Sequence, residues 1–459
     1  MKKSEPISRT GVSSLPRGAA SLIALAALAA LICGCVPQGA IHPEAPQGAP
    51  PVAGSAATAA PPAAAPGATS ALPAAAAGAP PPAAPPPAPI AAPPPPILPF
   101  EEAIANAARA VFTAAPAPDA GAATIVIDPL IDGMTGYQSR ATQSIQDRIT
   151  GVVKKDFPQY SVQRITPASL KLEPRVLIGT FTPVNAQMKT AGAREAYRFC
   201  LVLLDLKSGK VVAKSVVRVR IDDPDPTPTA AFGDSPVWTD DPSIQAYVAA
   251  CQASKVGDPI KPEYFEGLLA AALVSEAGDA YNEGHYAEAL DLYATARKTP
   301  AGDQLRVYNG VYLSLTRLGR SDQAAAAFRE LVDYGIRNKR LAVKFLFRPG
   351  SVRFESDNML SGAYGMWLQQ IAGQAVSRHV CLQITGHTSP TGPAAMNDSL
   401  SLLRAEYVQS RLEGDEPPLK RRTVAAGVGS RENLIGTGRD DSSDVLDRRV
   451  ELKPIEPCG

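Results

Sequence analysis

One segment near the carboxyl terminus brings together the residue types that an anion-binding site needs. Residues 384–412 read ITGHTSPTGPAAMNDSLSLLRAEYVQSRL. An apolar run ends at Gly386-His387-Thr388, and after a Pro/Gly loop a helix is predicted to begin with Asn397 as its N-cap. Asn397, Ser401 and Arg404 fall near one edge of this helix, facing back over the loop. A glycine-containing loop beside a helix start, with an arginine on the same edge, predicts an anion site.

The same segment resembles the OmpA-like peptidoglycan-binding domain. That family's pattern is G-H-T-D, then a loop with glycine, then N-x-x-L-S-x-x-R-A. The positions are filled here by Gly386, His387, Thr388, Gly392, Asn397, Leu400, Ser401, Arg404 and Ala405. Two later blocks, 427–429 (GVG) and 447–451 (DRRVE), stand where the family has G-x-G and N-R-R-V-E. The resemblance covers about residues 340–455 and implies a βαβαββ domain that binds the diaminopimelate stem peptide of peptidoglycan.

The resemblance also implies site residues, and one of them departs from the family. Arg404 is expected to pair with the diaminopimelate carboxylate, and the loop amides from Thr388 to Gly392 to frame the peptide. Asn397 and Arg448 complete the implied site. The family aspartate that holds the ammonium is Ser389 here. A hydrogen bond to a charged group contributes roughly 1.5–3 kcal/mol, so losing the charged acceptor predicts about tenfold or more weaker binding. Asp447 likewise replaces the usual asparagine.

The amino terminus reads as a targeting segment rather than as part of the fold. Residues 1–35 combine a basic start with an apolar run, Ala19 to Ile32, which is too short for a comfortable membrane span. The end of this run, LICGC, resembles a bacterial lipobox and implies that Cys35 is lipidated with palmitate-type chains. Because Val36 rather than Asp follows, the resemblance implies a lipid anchor in the outer membrane, facing the periplasm. An ordinary secretory signal is the alternative.

Residues 36–99 form a Pro/Ala-rich segment with Glu44 as its one acidic residue. Such a composition cannot bury a core, and it predicts an extended, largely disordered linker. At about 3.1 Å per residue, it could reach on the order of 200 Å. A tether across the periplasm and a linker without a length requirement both fit.

Residues 100–260 are predicted to be an α/β domain. Apolar runs predict strands at 123–128, 160–165 and 175–181 and a hairpin around Lys207-Ser208-Gly209, with helices at 101–114, 138–157 and 243–253. This order resembles the amino-terminal domain of TolB and curli-type CsgG proteins. The pair Asp128 and Asp132 suggests either metal or acid–base chemistry, or a capped turn. Acidic loops within 222–241 suggest calcium or plain solvation, and the ligand spacing of a calcium loop is absent.

Residues 261–339 contain an internal repeat. Gly284, Ala289 and Tyr293 recur as Gly319, Ala324 and Phe328, with a period of 35 residues between the two glycines (319 − 284). This pattern resembles the tetratricopeptide repeat, whose period is about 34. The resemblance implies either a surface that binds an envelope protein or a rigid spacer between the flanking domains.

The last domain, 340–459, supplies the elements that must position the site. Strands are predicted at 343–347, 380–384, 422–426 and 449–454, with a helix at 360–375 before the site helix. Two cysteine pairs each lie within one domain, and an oxidising compartment predicts the disulfides Cys200–Cys251 and Cys381–Cys458. Buried free thiols are the alternative.

No catalytic, metal or cofactor motif appears in the sequence. The four histidines have no nucleophile in a recognised setting, and the phosphate loop, HExxH and CxxC patterns are missing. The net charge of +1 gives no reason to expect nucleic acid. We therefore expect a non-enzymatic, multidomain α+β lipoprotein. We expect it to tether the envelope to peptidoglycan non-covalently through its last domain. The alternative, which Ser389 favours, is a periplasmic adaptor that has lost peptidoglycan binding and binds envelope proteins through its repeats and its first domain.

Overall fold

The computed structural model describes residues 94–118, 123–190, 194–238, 240–341, 343–356, 361–436, 438, 442–456 and 458. These residues belong to one compact unit that begins at Ala88. The predicted signal peptide with Cys35, and the predicted linker up to residue 93, lie outside the described residues. Within the described ranges, none of the helices has the length and hydropathy that a membrane crossing needs.

The described chain alternates strands and helices, then turns wholly helical, and ends in a second mixed region. In order, the elements are β1 (Ile97–Leu98), α1 (Phe100–Ala114), β2 (Ala123–Ile127), β3 (Ile131–Asp132), α2 (Arg140–Asp156), β4 (Tyr160–Arg164), α3 (Pro167–Leu170), β5 (Arg175–Val184), β6 (Ala196–Asp205), β7 (Lys210–Arg220), α4 (Ala230–Gly233), α5 (Pro242–Gln252), α6 (Pro262–Phe265), α7 (Leu268–Asn282), α8 (Tyr286–Ala296), α9 (Leu305–Arg317), α10 (Ser321–Arg337), β8 (Phe345–Leu346), α11 (Tyr364–Ser377), β9 (Cys381–Gly386), α12 (Ala394–Asp415), β10 (Thr423–Gly427) and β11 (Arg449–Ile455).

The first sheet has seven strands in the order β1-β7-β6-β5-β2-β4, with β3 beside β5. Strands β5, β6 and β7 pair antiparallel, whereas β2 runs parallel to β4 and β5. Successive residues of β6 enter opposite cores because side chains alternate along a strand. Phe199 and Leu201 pack with α1 and α2, whereas Cys200 and Val202 pack with α5 and the start of α7. The predicted order of elements is present, and the short strands β1 and β3 are additional.

The short helix α6 and the four longer helices α7 to α10 occupy the predicted repeat region. Gly284 and Gly319 follow α7 and α9 with φ of 86° and 70°, a left-handed conformation that favours glycine at a helix end. Ala289, Tyr293, Ala324 and Phe328 are buried. The Tyr293 ring lies against Gly310 so closely that a Cβ there would overlap it. The alanines and aromatic residues of the repeat are therefore buried between the helices, and its glycines end helices.

The second sheet has the order β10-β9-β11-β8, with β9 parallel to β10 and antiparallel to β11. Its apolar face packs on α11 and α12, and this core continues without a break into the helices of the repeat region. Trp367 of α11 is fully buried, donates a hydrogen bond from Nε1 to the Tyr312 hydroxyl at 2.8 Å, and stacks on Phe328 at 5.5 Å between ring centroids. The last sheet and the helical region thus share one core.

The two predicted disulfides have different outcomes in the structure. Cys381 and Cys458 are bonded, with their Cα atoms 5.4 Å apart. The prediction for Cys200 and Cys251 differs from the structure, in which both are buried free thiols. The physical reason is that each thiol donates to the other residue's backbone carbonyl. Cys200 Sγ lies 3.0 Å from the Cys251 oxygen, and Cys251 Sγ lies 3.3 Å from the Cys200 oxygen.

The acidic residues that suggested metal chemistry have structural roles. Asp132 accepts hydrogen bonds from the amides of Met134 and Thr135 at 2.9 and 2.7 Å, which makes a capped turn. Asp241 caps α5 by accepting from the amides of Ser243 and Ile244. Across the described ranges, no group of three or more His, Cys, Asp or Glu side chains is arranged to hold a metal ion.

Candidate functional site

The predicted site lies where β9 ends and the loop to α12 begins. Gly386 closes β9, and the carbonyl of Ser401 on α12 lies directly over it, so that a Cβ at 386 would overlap this backbone. A Cβ at Gly427, the last residue of β10, would meet the backbone of Leu402 and Asp398 in the same way. Glycine at both strand ends therefore lets α12 approach the sheet, which brings the loop and the helix edge together.

The helix begins four residues earlier than the sequence predicts. α12 starts at Ala394 with Pro393 as its N-cap, so the prediction that Asn397 is the cap was wrong. Proline fixes φ and lacks an amide hydrogen, which suits a position at the start of a helix. Asn397 instead lies inside the first turn, is buried, and donates from Nδ2 to the Thr391 carbonyl at 3.2 Å. Its role is to hold the loop against the helix.

Arg404 is the residue on which the predicted chemistry depends, and it is fully buried. Its guanidinium donates to three backbone carbonyls: Nε to Ser351 at 2.9 Å, Nη1 to His387 at 3.0 Å and Nη2 to Arg348 at 3.0 Å. It also lies over the Phe347 ring, 5.2 Å from the centroid. The positive charge is therefore directed at the turn after β8 and at the site loop itself.

The loop residues differ in their exposure. Thr388 and Ser389 are buried, at 2% and 6% exposed, whereas residues 391–396 are exposed. Thr388 is held at both backbone groups, since its amide donates to the Gly429 carbonyl and its carbonyl accepts from Asn433 Nδ2, each at 2.9 Å. Its hydroxyl is buried and has no hydrogen-bond partner among the residues described. Gly392 has φ of 89°, the left-handed conformation that turns the loop toward α12.

Asp447 and Arg448, the two residues just before β11, also have backbone hydrogen-bond partners. Arg448, a predicted site residue, is 4% exposed and donates from Nε to the Phe347 carbonyl at 3.2 Å. Asp447 is buried and accepts from three successive amides, those of Leu434, Ile435 and Gly436, at 2.6 to 3.1 Å. Burial raises the pKa of Asp447 above its ordinary value. Both side chains stabilise loops around the site.

His387 is a buried residue whose setting the sequence does not reveal. It is 1% exposed, and neither ring nitrogen has a hydrogen-bond partner in the part of the chain that the structure describes. A carboxylate oxygen of Glu432 lies 3.9 Å from Nδ1. Burial, with a contribution from the Arg449 charge, holds the pKa of His387 well below its usual range. The imidazole is therefore neutral at physiological pH.

The structure thus brings the predicted binding residues of the last domain into one region. The charged side chains among them, Arg404 and Arg448, are buried and bind backbone carbonyls. The sequence did not predict that the carbonyls of Arg348 and Ser351 accept hydrogen bonds from the Arg404 guanidinium. It also missed Arg431, which pairs with Asp398 at 2.6 Å beside the site. Backbone carbonyls that converge on an arginine cannot be predicted from residue types, because every residue has a carbonyl.

Comparison with known proteins gives limited matches. No protein-family model and no curated protein matches the chain. A peptidoglycan-associated lipoprotein from Burkholderia pseudomallei is 23% identical over 24% of this chain and 89% of its own, with a TM-score of 0.21. The cell wall anchor of the T6SS from Pseudomonas aeruginosa is 23% identical over 24% and 74%, with a TM-score of 0.20. An outer membrane protein from Borrelia burgdorferi B31 is 21% identical over 24% and 84%, with a TM-score of 0.19. Matches at these values do not assign a function to this chain, so the function of the site follows from its own geometry.

Proposed function

We propose that this chain is a non-catalytic structural protein of the bacterial envelope and that it acts as a scaffold, with its wall-binding pocket closed by its own backbone. The observation that carries this proposal is the burial of Arg404 against three carbonyls. The lipid anchor at Cys35, the outer-membrane location facing the periplasm, and the extended linker belong to the proposal on the sequence patterns described above.

The energetics disfavour a diaminopimelate carboxylate on Arg404. Such a carboxylate would have to displace backbone carbonyls from the guanidinium, and each hydrogen bond to a charged group contributes roughly 1.5–3 kcal/mol. The displaced carbonyls of Arg348 and Ser351 would then need new partners. Ser389 supplies no negative charge for the ligand's ammonium. The pocket would therefore lose most of the binding energy that the family resemblance implies.

The shared core gives the scaffold its rigidity. Because Trp367 packs on Tyr312 and Phe328, the helical region cannot move independently of the last sheet. Arg194 from the first domain donates to the Asn433 carbonyl in the last at 3.0 Å. A body of this kind can present helical-repeat and α/β surfaces to an envelope protein in a fixed relation to each other.

Wall anchoring is the second candidate, and one observation favours it. The Thr388 hydroxyl is buried in the site loop without a partner, and residues 391–396 next to it are exposed. A stem peptide that opened the loop could satisfy this hydroxyl. In this version the chain would hold peptidoglycan at one end and outer-membrane lipid at the other.

Co-sedimentation of the full chain with insoluble peptidoglycan sacculi separates the two candidates. Wild type, Ser389→Asp and Ser389→Ala would be compared, with a soluble diaminopimelate stem peptide as competitor. The scaffold proposal expects wild type and Ser389→Ala to stay in the supernatant. If wild type pellets and the stem peptide releases it, wall anchoring is correct and the scaffold proposal fails. If only Ser389→Asp pellets, the wild-type chain is still a scaffold without wall binding, but the serine rather than the closure around Arg404 disables the pocket, and that part of the proposal fails.

A further inference from the structure

A cleft of about 730 Å³ lies on the face of the second sheet that points away from α11 and α12. In β9, Leu382 and Ile384 enter the core, so Gln383 and Thr385 face the opposite way. In β11, Glu451 and Lys453 lie on that same open face, paired in register with Thr385 and Gln383. The cleft therefore has a floor of regularly spaced polar side chains, on the side of the sheet away from the Arg404 pocket.

The opposite walls come from other parts of the chain. Met134 and Arg194 of the first domain line one side, and Trp238, Lys339 and Arg340 line another. The volume falls within the range of about 300–1,000 Å³ that is typical of small-molecule sites. Such sites also occur preferentially where domains meet. The cleft has the size and the position of a binding site.

The lining carries more cationic than anionic side chains. Among the described residues, the cations are Arg194, Lys339, Arg340, Arg431, Arg449 and Lys453, and the anions are Asp240, Glu432 and Glu451. Four of the cations have a carboxylate partner: Arg340 pairs with Asp240 at 2.9 Å, Arg449 with Glu451 at 2.5 Å, Arg431 with Asp398 at 2.6 Å and Lys339 with Glu456 at 3.2 Å. Arg194 and Lys453 supply the remaining positive charge. The histidine in the lining, His387, is neutral. A cleft with excess positive charge and low-dielectric walls concentrates anions.

Most of the unsatisfied polar atoms of the lining are hydrogen-bond donors. Arg449, His387 and Trp238 are at least nine-tenths buried. Among the described residues, Arg449 Nη1, Trp238 Nε1 and Arg194 Nε have no hydrogen-bond partner, and the same holds for the two ring nitrogens of His387, one of which carries a proton. A buried donor without a partner is unfavourable, and native structures contain few of them. Several around one cleft point to a ligand that is rich in acceptor oxygens.

The mouth of the cleft has a side chain that can move. Glu432 is 64% exposed at its side chain and lies 3.9 Å from His387 Nδ1 without a hydrogen bond. Its negative charge opposes an incoming anion.

We propose that this cleft is a binding site for a small anion that carries several carboxylate or phosphate oxygens, held by Arg449, Arg194, Lys453 and the His387 and Trp238 N–H groups. The cleft adjoins the candidate wall-binding loop at His387 but does not include Arg404, Thr388 or Ser389, and the proposal does not depend on the proposed scaffold function. Carboxylate and phosphate share the chemistry that these donors recognise, so the experiment distinguishes them.

Isothermal titration calorimetry on the full chain, with citrate, pyrophosphate and uncharged sorbitol as probes, tests this proposal. We expect one anion to bind with a stoichiometry of one and sorbitol not to bind. The double variant Arg194→Gln/Lys453→Gln should weaken binding at least fivefold. Its matched control is Lys298→Gln/Arg320→Gln, which removes one lysine and one arginine from exposed positions outside the cleft. Glu432→Gln should strengthen binding at least twofold, because it removes the opposing charge.

Hydrogen exchange with the bound anion locates the site independently of affinity. Amides of 383–387 and 449–453 should gain protection in wild type, and thermal unfolding should show that each variant is folded. The proposal is overturned if neither anion binds at millimolar concentration. It is equally overturned if the control double variant loses as much affinity as the cleft variant, or if the protection appears elsewhere.

Discussion

At the scale of single residues, two buried cations have opposite consequences for the chain. Arg404 has three backbone carbonyls as partners. Lys344 is fully buried between the rings of Tyr137 and Trp238, at 4.8 and 4.9 Å from their centroids, and donates to the Tyr137 hydroxyl at 2.8 Å. No carboxylate lies within ion-pairing distance of Lys344 among the described residues. Arg404 therefore stabilises the fold as a cation, whereas Lys344 is more easily buried as an amine.

Replacement of Arg404 should damage the fold before it reports on any ligand. We expect Arg404→Ala to lower the free energy of unfolding by about 3 kcal/mol or more, because buried carbonyls lose a charged donor and a large cavity forms. Arg411→Ala, on the exposed side of the same helix, is the control and should change it by less than about 0.5 kcal/mol. Urea denaturation measures both. Equal effects would show that the guanidinium is not a structural element.

Lys344 should make the stability of the chain depend on pH. Burial lowers its pKa from 10.5 to about 7. Between these two values the unfolded chain binds the proton and the folded chain does not, so stability rises with pH across this window. We expect Lys344→Met to be more stable than wild type by roughly 3 kcal/mol at pH 6, with the difference shrinking toward pH 10. Lys298→Met, which removes an exposed charge, should differ little from wild type at either pH; unfolding curves at pH 6 and 9.5 test both variants.

At the scale of elements, the position of α12 depends on glycine at the ends of β9 and β10. Gly386→Ala would place its methyl group in the Ser401 carbonyl and should destabilise the chain by about 2–3 kcal/mol. Gly373→Ala is the matched control, since nothing lies within 4 Å of a Cβ at that position in α11. It should stabilise the chain by about 0.5–1 kcal/mol through helix propensity. We expect calorimetry to show a lower melting temperature than wild type for Gly386→Ala and a higher one for Gly373→Ala. Equal decreases in the two variants would contradict this prediction.

The elements themselves were largely predictable, and the reasons for the failures are physical. Periodicity located the main strands and helices because each buries one face. The start of α12 was misplaced because Asn397 has good N-cap chemistry, while Pro393 four residues earlier has the backbone that a helix start needs. The thiols of Cys200 and Cys251 were predicted to bond because they lie in one domain, but bonding depends on side-chain orientation. The carbonyls around Arg404 and the donors around the cleft arise from contacts between distant segments, which residue types do not encode.

At the scale of the whole molecule, the shared core makes the last domain dependent on the helices before it. Trp367, Tyr312 and Phe328 meet across the boundary between them. We expect the isolated fragment 340–459 to lose near-ultraviolet circular dichroism and to bind a hydrophobic dye, while the fragment 261–459 keeps a native-like spectrum. A cooperative unfolding transition in the shorter fragment, equal to that of the longer one, would contradict this. Binding experiments on the last domain therefore require a chain that includes the helices of residues 261–339.

The attachment of β1 determines how the chain would respond to a mechanical load. Ile97 and Leu98 pair with Arg218 and Val219 at the margin of the first sheet, and the Phe100 amide donates to Asp223 at 3.0 Å. Tension applied ahead of residue 94 would act first on this two-residue contact, which can detach while the central strands stay paired. After that, α1, which packs over β7, would bear the force. The junction would thus yield in two steps, and the first would lengthen the connection without unfolding either sheet.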